Sequence, residues 1–478
     1  METKDEIIEY LQTTEIGVGF QDLYDHVINK NACVFCGACI SICPRIGVKD
    51  GKPILLENDP ECSMCFKYCA RTYFPEEMFE KELFGDKINK DILLGNYQQI
   101  VAARSTDTKI LEVAQTGGVI TSLLIHALET GLIDGVLLAD KDANWVPKPF
   151  VARTAEEVLS VAGSIYTMAP TLLAYNDAVN KYKLEKLAFV GMPCQIQAAR
   201  KLQLWPPLSE QYGKITLILG LYCTSNYSYD LMEKLIQDKL KIQMKDLEKI
   251  DISHGKLIAF TKDGNSKQVP IKETKKYNWA SCQYCRDYTA EFADISAGSV
   301  GKPEEGWNSV IIRTDVGKKL FDSAVAAKKL KIKEEVDLSF IKKESLKKKS
   351  KIKQLDEKVF SAMRFLNISD SEIKTYAALV SLGQSDMPML NKIMKLEESE
   401  IQEILDSLIK REWVFISENF YKPINPTKVI KEEINNFRRN FEKNIKRIES
   451  EALVDLETLF EQNNLMYVRF KEFIDELM

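Results

Sequence analysis

The sequence predicts a multidomain protein of mixed α+β and α/β class, and three observations carry that expectation. The chain has 478 residues, more than one hydrophobic core usually organises. Between Gln99 and Ala326, apolar runs such as "KLAFVGMP", "KITLILGLYC" and "NSVIIRT" alternate with helical stretches such as "VITSLLIHALETG", the pattern of an α/β domain. From Asp356 the period changes to helical segments, a short strand pair and one long amphipathic run. A hydrophobic content of 45% is ample for more than one core.

Shifts in composition set the boundaries. Residues 1–30 read as one or two short helices, 31–95 as a cysteine-dense segment and 96–335 as the α/β domain. Residues 336–355 are a lysine-rich helix and linker, in which "IKKESLKKKSKIKQ" places seven lysines between Lys342 and Lys353. A solvated helix is the plain reading there; a docking surface for an acidic electron carrier is the sharper one. In 356–426, "SDSEIKTYAALVSLG", "MPMLNKIMKL" and "EESEIQEILDSLIKREWVFISENFYKPI" follow the order of a winged helix, three helices and a hairpin. In 427–478, Ile430, Ile434, Phe437, Phe441, Ile445 and Ile448 recur at three- and four-residue steps, as in a long amphipathic helix or short coiled coil.

Charge and hydropathy remove several classes of function. The net charge of −5 gives no global basic field for nucleic acid or an anionic membrane. No run approaches the roughly 20 apolar residues of a membrane span. "METKDEIIEYLQ" is acidic and amphipathic, unlike a secretory signal. The expected location is the cytoplasm, with peripheral attachment to a membrane complex as the variant.

The 11 cysteines are the informative residues. A long chain without a signal segment is a poor disulfide scaffold, and the three histidines lack zinc-finger spacing from the cysteines. Cys33, Cys36, Cys39 and Cys43, followed by Pro44, match the ferredoxin run C-x2-C-x2-C-x3-C-P. Two-residue gaps let a tight loop aim three thiolates at one 4Fe-4S cube, while the fourth points to a second cube. Gly37 permits close backbone approach and Pro44 turns the chain out. Residues 31–95 therefore read as a ferredoxin-like iron–sulfur segment.

The second half of that motif is "ENDPECSMCFKYCARTYFP". Aligned from its end, Cys62, Cys65 and Cys69 fill its last three positions, and Asp59 stands where the first cysteine is expected. The two-cluster arrangement assigns Cys33, Cys36, Cys39 and Cys69 to one cube, and Cys43, Cys62 and Cys65 to the other with Asp59. A carboxylate is a harder ligand than thiolate but can hold iron. The expectation is an occupied second site, as an Asp59-ligated 4Fe-4S or a 3Fe-4S cluster; a single N-terminal cluster with idle thiols is the alternative.

Cys194 in "VGMPCQIQA" and Cys223 in "LILGLYCTSN" each end an apolar run, and Cys282 and Cys285 form "SCQYCRDY". Strand ends are where α/β proteins gather their sites. On spacing alone, two buried cysteines beside an unrelated C-x-x-C is the plainer reading. The sequence has neither GxGxxG nor GxxxxGK[ST], so no standard dinucleotide or P-loop turn is present. "AQTGGVIT" sets two glycines before a helix, the composition of an anion cradle.

Residues from about Asn96 to Ala326 resemble the family of beta subunits of coenzyme F420 hydrogenases and dehydrogenases. "IVAARSTD", "AQTGGVIT", "GLIDGVLLA", "AGSIYT", "GMPCQIQAARK", "GLYCTSN", "CQYCRDYTAEFADISAGSVG" and "GWNSVIIRTDVG" carry the resemblance, in the family's order. The resemblance implies FAD, a 4Fe-4S cluster and hydride exchange between FAD and the deazaflavin coenzyme F420. It assigns Cys194, Cys223, Cys282 and Cys285 to that cluster. Gln115, Thr116, Gly117 and Gly118, with Gly163, Ser164, Tyr166 and Thr167, are the flavin contacts it suggests; ordinary turn and helix-start roles are their bland alternative. No acid–base residue is required, because the flavin carries the hydride. The implied function is an electron-input subunit oxidising F420H2, or the reverse, with a partner subunit, ferredoxin or a respiratory complex taking the electrons.

Residues from about Phe360 to Pro426 resemble the winged helix of TrmB-like regulators, through "FLNISDSEIKTYAALVSLG" and "YKPINP". The expected recognition helix, "EESEIQEILDSLIKR", opens with glutamates. A helix for the major groove should be basic at its leading end, so homodimerisation or docking to another protein chain is expected over nucleic-acid binding. The rival function is a redox-sensing transcriptional regulator. A further variant keeps the enzyme and changes its substrate.

Overall fold

A computed structural model describes residues 19–478 except 60–61, 73, 75, 86–88, 205–212, 301–305, 351–354 and 418. Of the segment 1–30 expected to form one or two short helices, residues 1–18 lie outside the described residues, and Phe20–Leu23 and Tyr24–Ile28 are helical. The chain divides into two compact units, Met1–Lys351 and Ile352–Met478. No described helix is long and apolar enough to cross a membrane.

The first unit begins with short helices, Phe20–Leu23 and Ala38–Ile42, and the hairpin β1 (Ile46–Lys49) and β2 (Lys52–Leu55). That hairpin separates the two cysteine motifs. Helices Met64–Tyr68 and Glu76–Phe84 and a small hairpin of β3 (Asn89–Asp91) and β4 (Gly95–Tyr97) lead into the main sheet.

The sheet consists of β5 (Gln99–Ser105), β6 (Gly135–Lys141), β7 (Pro147–Ala152), β8 (Leu187–Gly191), β9 (Ile215–Leu221), β13 (Ile295–Ser299), β14 (Asn308–Ile312) and β15 (Leu330–Lys333). Their order is β15-β5-β14-β13-β9-β8-β6-β7. β6, β8, β9 and β13 run parallel, and β14 is antiparallel to both β13 and β5. β5 therefore points the same way as the parallel core. The carboxyl ends of β5, β8 and β9, followed by "QTGG", Cys194 and Cys223, lie along one edge. β8 is buried at every position, as a strand covered on both faces must be. A separate sheet of β10 (Leu247–Ser253), β11 (Lys256–Thr261) and β12 (Ser266–Pro270) is inserted before β13; its short strands carry no period strong enough to single it out in the sequence.

The cysteine segment is welded to the α/β domain by a common core. Ala38, Tyr68, Ala70 and Phe79 pack in one cluster with Leu172, Tyr175, Ile196 and Leu202. The lysine-rich stretch corrects the expectation of a solvated helix. In the helix Ser339–Lys349, Ile341, Ser345 and Lys348 are buried, and Lys349 Nζ pairs with Glu291 at 2.6 Å.

Among the described residues of the second unit, four helices precede the hairpin, one more than the sequence pattern suggests: Glu357–Phe365, Asp370–Leu382, Met387–Met394 and Glu398–Lys410. β16 (Val414–Ser417) and β17 (Phe420–Pro423) form the wing. Trp413, Leu379, Ile401 and Leu405 fill the core, and Ser369 and Glu372 close a reciprocal capping box on the second helix. Helical backbone then runs from Pro426 to Leu477, with a wider turn at Ile448–Ala452.

Candidate redox site

The N-terminal thiols fall into two groups. The Cys36 and Cys39 thiols each feel the charges of Cys33 and Cys69, so these four stand together although Cys69 is remote in sequence. Burial pushes Cys33 up to about 11 and Cys36 up to about 12. Cys65, also pushed up to about 12 by burial, faces Cys62 and Cys43, and its charge reaches the first group at Cys39. Gly37 makes the first group compact: at φ +91°, a Cβ there would lie 2.6 Å from the Leu173 nitrogen. The Leu172 N–H donates to the Cys36 carbonyl at 2.9 Å.

Asp59 sits beside the second group, and its carboxylate is engaged. Arg45 Nη1 donates to Asp59 Oδ2 at 2.5 Å, while the Asp59 carbonyl accepts the Cys62 N–H at 3.2 Å. The same residue thus fixes Cys62 through its backbone and meets a guanidinium through its side chain.

Cys194, Cys223, Cys282 and Cys285 converge on one cavity. Burial raises the Cys194 thiol well above its ordinary value, reinforced by the charges of the other three. Met168, Met192, Asn226 and Ser281 complete much of the wall, and the Asn226 N–H donates to Cys282 Sγ at 3.4 Å. Among the described lining residues Lys348 is the cation, with Nζ hydrogen-bonded to the Cys223 carbonyl. Burial opposes its charge, but the Cys223 and Cys285 thiols and Asp287 outweigh it and raise its pKa. A soft sulfur donor set with one buried cation suits an anionic iron–sulfur cluster.

Gln115, Thr116, Gly117 and Gly118 lie between β5 and the helix Val119–Glu129. Gly118, at φ +70°, caps that helix, and a Cβ on Gly117 would meet Asn308 Oδ1 at 2.8 Å. Gln115 Nε2 donates to Asp251 Oδ1 at 2.6 Å, leaving its buried Oε1 without a hydrogen-bond partner. Asp251 also faces Tyr166, whose hydroxyl is raised by burial and by that carboxylate and lowered by a hydrogen bond with Ser164. The structure thus brings Gln115 and Tyr166 to one carboxylate. Gly163 takes φ +110°, and Thr167 is buried and bridges to Tyr227. The glycine cradle at a helix N-terminus and the orphaned Gln115 oxygen fit a ligand carrying phosphate and amide groups, as FAD does.

The segment from Gly163 to Leu173 links the groups. It passes Tyr166, lines the four-cysteine cavity with Met168, and reaches Cys36 and Gly37 through Pro170–Leu173. A second link is the helix Pro193–Leu204, which carries Cys194 at its start and Lys201 two turns on. Lys201 Nζ donates to the carbonyls of Lys67 and Cys69 at 2.8 and 3.0 Å. Seven helical residues span about 10 Å. A third is Trp279, whose Nε1 donates to the Cys33 carbonyl at 2.9 Å. Nothing in the sequence assigns Asp251, Asn308 or Lys348 to the site, because only the fold brings them to the strand ends.

The comparisons accord with this geometry. The model for the coenzyme F420 hydrogenase/dehydrogenase beta subunit N-term matches residues 100–175, and that for its C terminus matches residues 184–337. A 4Fe-4S binding domain matches 26–45, and the sugar-specific transcriptional regulator TrmB matches 363–427. The coenzyme F420 hydrogenase subunit beta of Methanothermobacter thermautotrophicus is 42% identical over 266 residues, covering 54% of this chain and 94% of that protein. A component of the F(420)H(2) dehydrogenase of Methanosarcina mazei is 35% identical over 312 residues, covering 62% of this chain and 83% of that protein. A chain of the F420-reducing [NiFe] hydrogenase complex from Methanosarcina barkeri aligns with a TM-score of 0.52 at 39% identity, covering 55% of this chain and 91% of that one. The chain belongs to the family of coenzyme F420 hydrogenase/dehydrogenase beta subunits.

Proposed function

We propose that this oxidoreductase is an F420-linked electron-transfer subunit that exchanges a hydride with coenzyme F420 at a flavin held between Gln115–Gly118 and Gly163–Thr167. The observation that carries the reading is the continuous segment from Tyr166 through Met168 to Leu172: Tyr166 faces Asp251, the carboxylate that holds Gln115, Met168 lines the four-cysteine cavity and Leu172 reaches Cys36. When bound, FAD exchanges hydride with a deazaflavin and single electrons with iron–sulfur clusters.

The residues take separate tasks. Gly117 and Gly118 admit a phosphate to the helix N-terminus. Gln115, oriented by Asp251, presents its free oxygen to a ligand donor, and Tyr166, hydrogen-bonded to Ser164, stands against the same Asp251 carboxylate. Cys194, Cys223, Cys282 and Cys285 would hold a 4Fe-4S cluster, with Lys348 offsetting its negative charge. Cys33, Cys36, Cys39 and Cys69 would hold the next. Cys43, Cys62 and Cys65, with Asp59 shared between iron and Arg45, would hold the outermost, as a 4Fe-4S or 3Fe-4S cluster. The row ends at the hairpin side of the N-terminal segment, where a protein acceptor or donor would dock, whether another subunit or a ferredoxin.

The regulator reading gains no support from the second unit beyond its TrmB match. Its expected recognition helix has Glu398 and Glu400 in the first turn, where a phosphate backbone would meet them.

The test is anaerobic reconstitution of the full chain with FAD and iron, followed by rapid mixing with F420H2. Bleaching of the flavin followed by reduction of the cluster bands supports the proposal. A folded chain that retains no flavin overturns the flavin assignment, and a flavin left oxidised by F420H2 overturns the substrate.

A further inference from the structure

The helical run Pro426–Leu477 keeps an apolar stripe that its own unit leaves uncovered. Its start is anchored: Val429 and Ile430 pack in the winged-helix core, and Phe437 meets Phe365 at 5.0 Å between ring centroids. Beyond that anchor, Phe441, Ile448, Leu456, Leu459, Phe470, Phe473 and Leu477 are each at least 56% exposed. In sequence, 441, 445, 448, 452, 456, 459, 463, 466, 470, 473 and 477 follow one another at three- and four-residue steps. That is the seam of a two-stranded coiled coil, and exposed apolar surface of this extent marks an interface.

The charges say what covers it. Residues 426–447 carry seven basic and three acidic side chains, while 448–477 carry eight acidic and two basic. Charge beside the seam sets orientation. A parallel pair of these helices would set basic half on basic half and acidic on acidic. An antiparallel pair would set each basic half on an acidic one, twice over.

We infer that the chain self-associates through an antiparallel coiled coil of Pro426–Leu477, its two-fold axis near Ala452. In that register Lys428, Lys431 and Lys446 stand level with Asp475, Glu472 and Glu457 of the second copy. The dimer holds two winged helices at opposite ends of one rod. This inference is independent of the redox reading, since a chain that fails every flavin assay can still dimerise.

The experiment uses the full chain, unlabelled and nitrogen-15-labelled copies being mixed under anaerobic conditions. Light scattering should give twice the mass of one chain. A carbodiimide, which joins a lysine to a touching carboxylate, should give mixed-isotope links between Lys428, Lys431, Lys443 or Lys446 and carboxylates of 449–476. A charge-reversed chain (Arg438→Glu, Arg439→Glu, Lys443→Glu, Lys446→Glu) should dissociate at least tenfold more readily. Adding Asp455→Lys, Glu457→Lys, Glu472→Lys and Asp475→Lys to that chain should restore the dimer, because opposite halves again carry opposite charge. A monomer at all concentrations, meaning that the stripe docks on the same chain or another partner, overturns the inference. Mixed-isotope links confined to like halves, or no recovery in the eightfold variant, overturn the antiparallel arrangement.

Discussion

Lys348 sits in an environment that its neighbours in sequence do not suggest. It belongs to a lysine run, yet it is 3% exposed and lies against the four-cysteine cavity. Removing a positive charge beside a cluster disfavours its more negative, reduced form. Lys348→Met should lower the cluster's midpoint potential by on the order of tens of mV, read by a redox titration monitored with paramagnetic resonance. An unchanged potential would leave Lys348 a purely structural prop. Asp59 meets Arg45 through its carboxylate and Cys62 through its carbonyl. Because Arg45 competes for its carboxylate, mild oxidation of the reconstituted chain should raise a three-iron signal from the Cys43, Cys62 and Cys65 group first. Asp59→Cys should suppress that signal, and equal signals in the two proteins would show that Asp59 is no ligand.

At the scale of elements, the helix Pro193–Leu204 is the beam on which the redox groups hang. It carries Cys194 and Lys201, and it is clamped by a buried ion pair, Arg200 Nη2 to Asp294 Oδ1 at 2.8 Å. Asp294 is further held by the Ile218 N–H at 2.7 Å and the Thr314 hydroxyl at 2.7 Å. Removing one partner leaves a charge buried without compensation, which costs about 3–5 kcal/mol. Arg200→Met should lower stability by that amount in denaturant titration and, under the proposed ligand assignment, reduce bound iron, since the helix carries Cys194 and holds the Cys69 carbonyl through Lys201. In the second unit, Trp413 is 1% exposed and packs edge-on to Tyr376 at 4.8 Å. Trp413→Ala should cost about 3–5 kcal/mol, measured as loss of the second unit's helical signal on heating.

The first unit works as one molecule because its domains share a core. Residues of the cysteine segment and of the sheet's covering helices fill a common cluster, so the cysteine groups are held by packing and do not swing on a linker. Under the proposed electron path, disabling the four-cysteine group should therefore interrupt electron flow while leaving the other groups intact. Cys282→Ser should lower iron content and slow reduction of the N-terminal groups by F420H2 at least tenfold, with flavin bleaching preserved. Unchanged iron would exclude Cys282 as a ligand, and loss of flavin bleaching would place the cysteine group ahead of the flavin.

The sequence by itself determined the mixed α/β class, the winged-helix region and the long amphipathic helix, because apolar periodicity reports local structure directly. It also indicated the spacing of the N-terminal cysteines, since a tight loop around a cube is a local device. Tertiary structure alone decided which distant groups meet. Asp251 reaches Gln115 from the inserted sheet of β10 to β12, Asn308 reaches Gly117 from the start of β14, and Lys348 reaches Cys223 from a helix that reads as solvated. The physical reason is that strand order is set by long-range pairing and shared burial, whereas a residue's neighbours in sequence record only its local period.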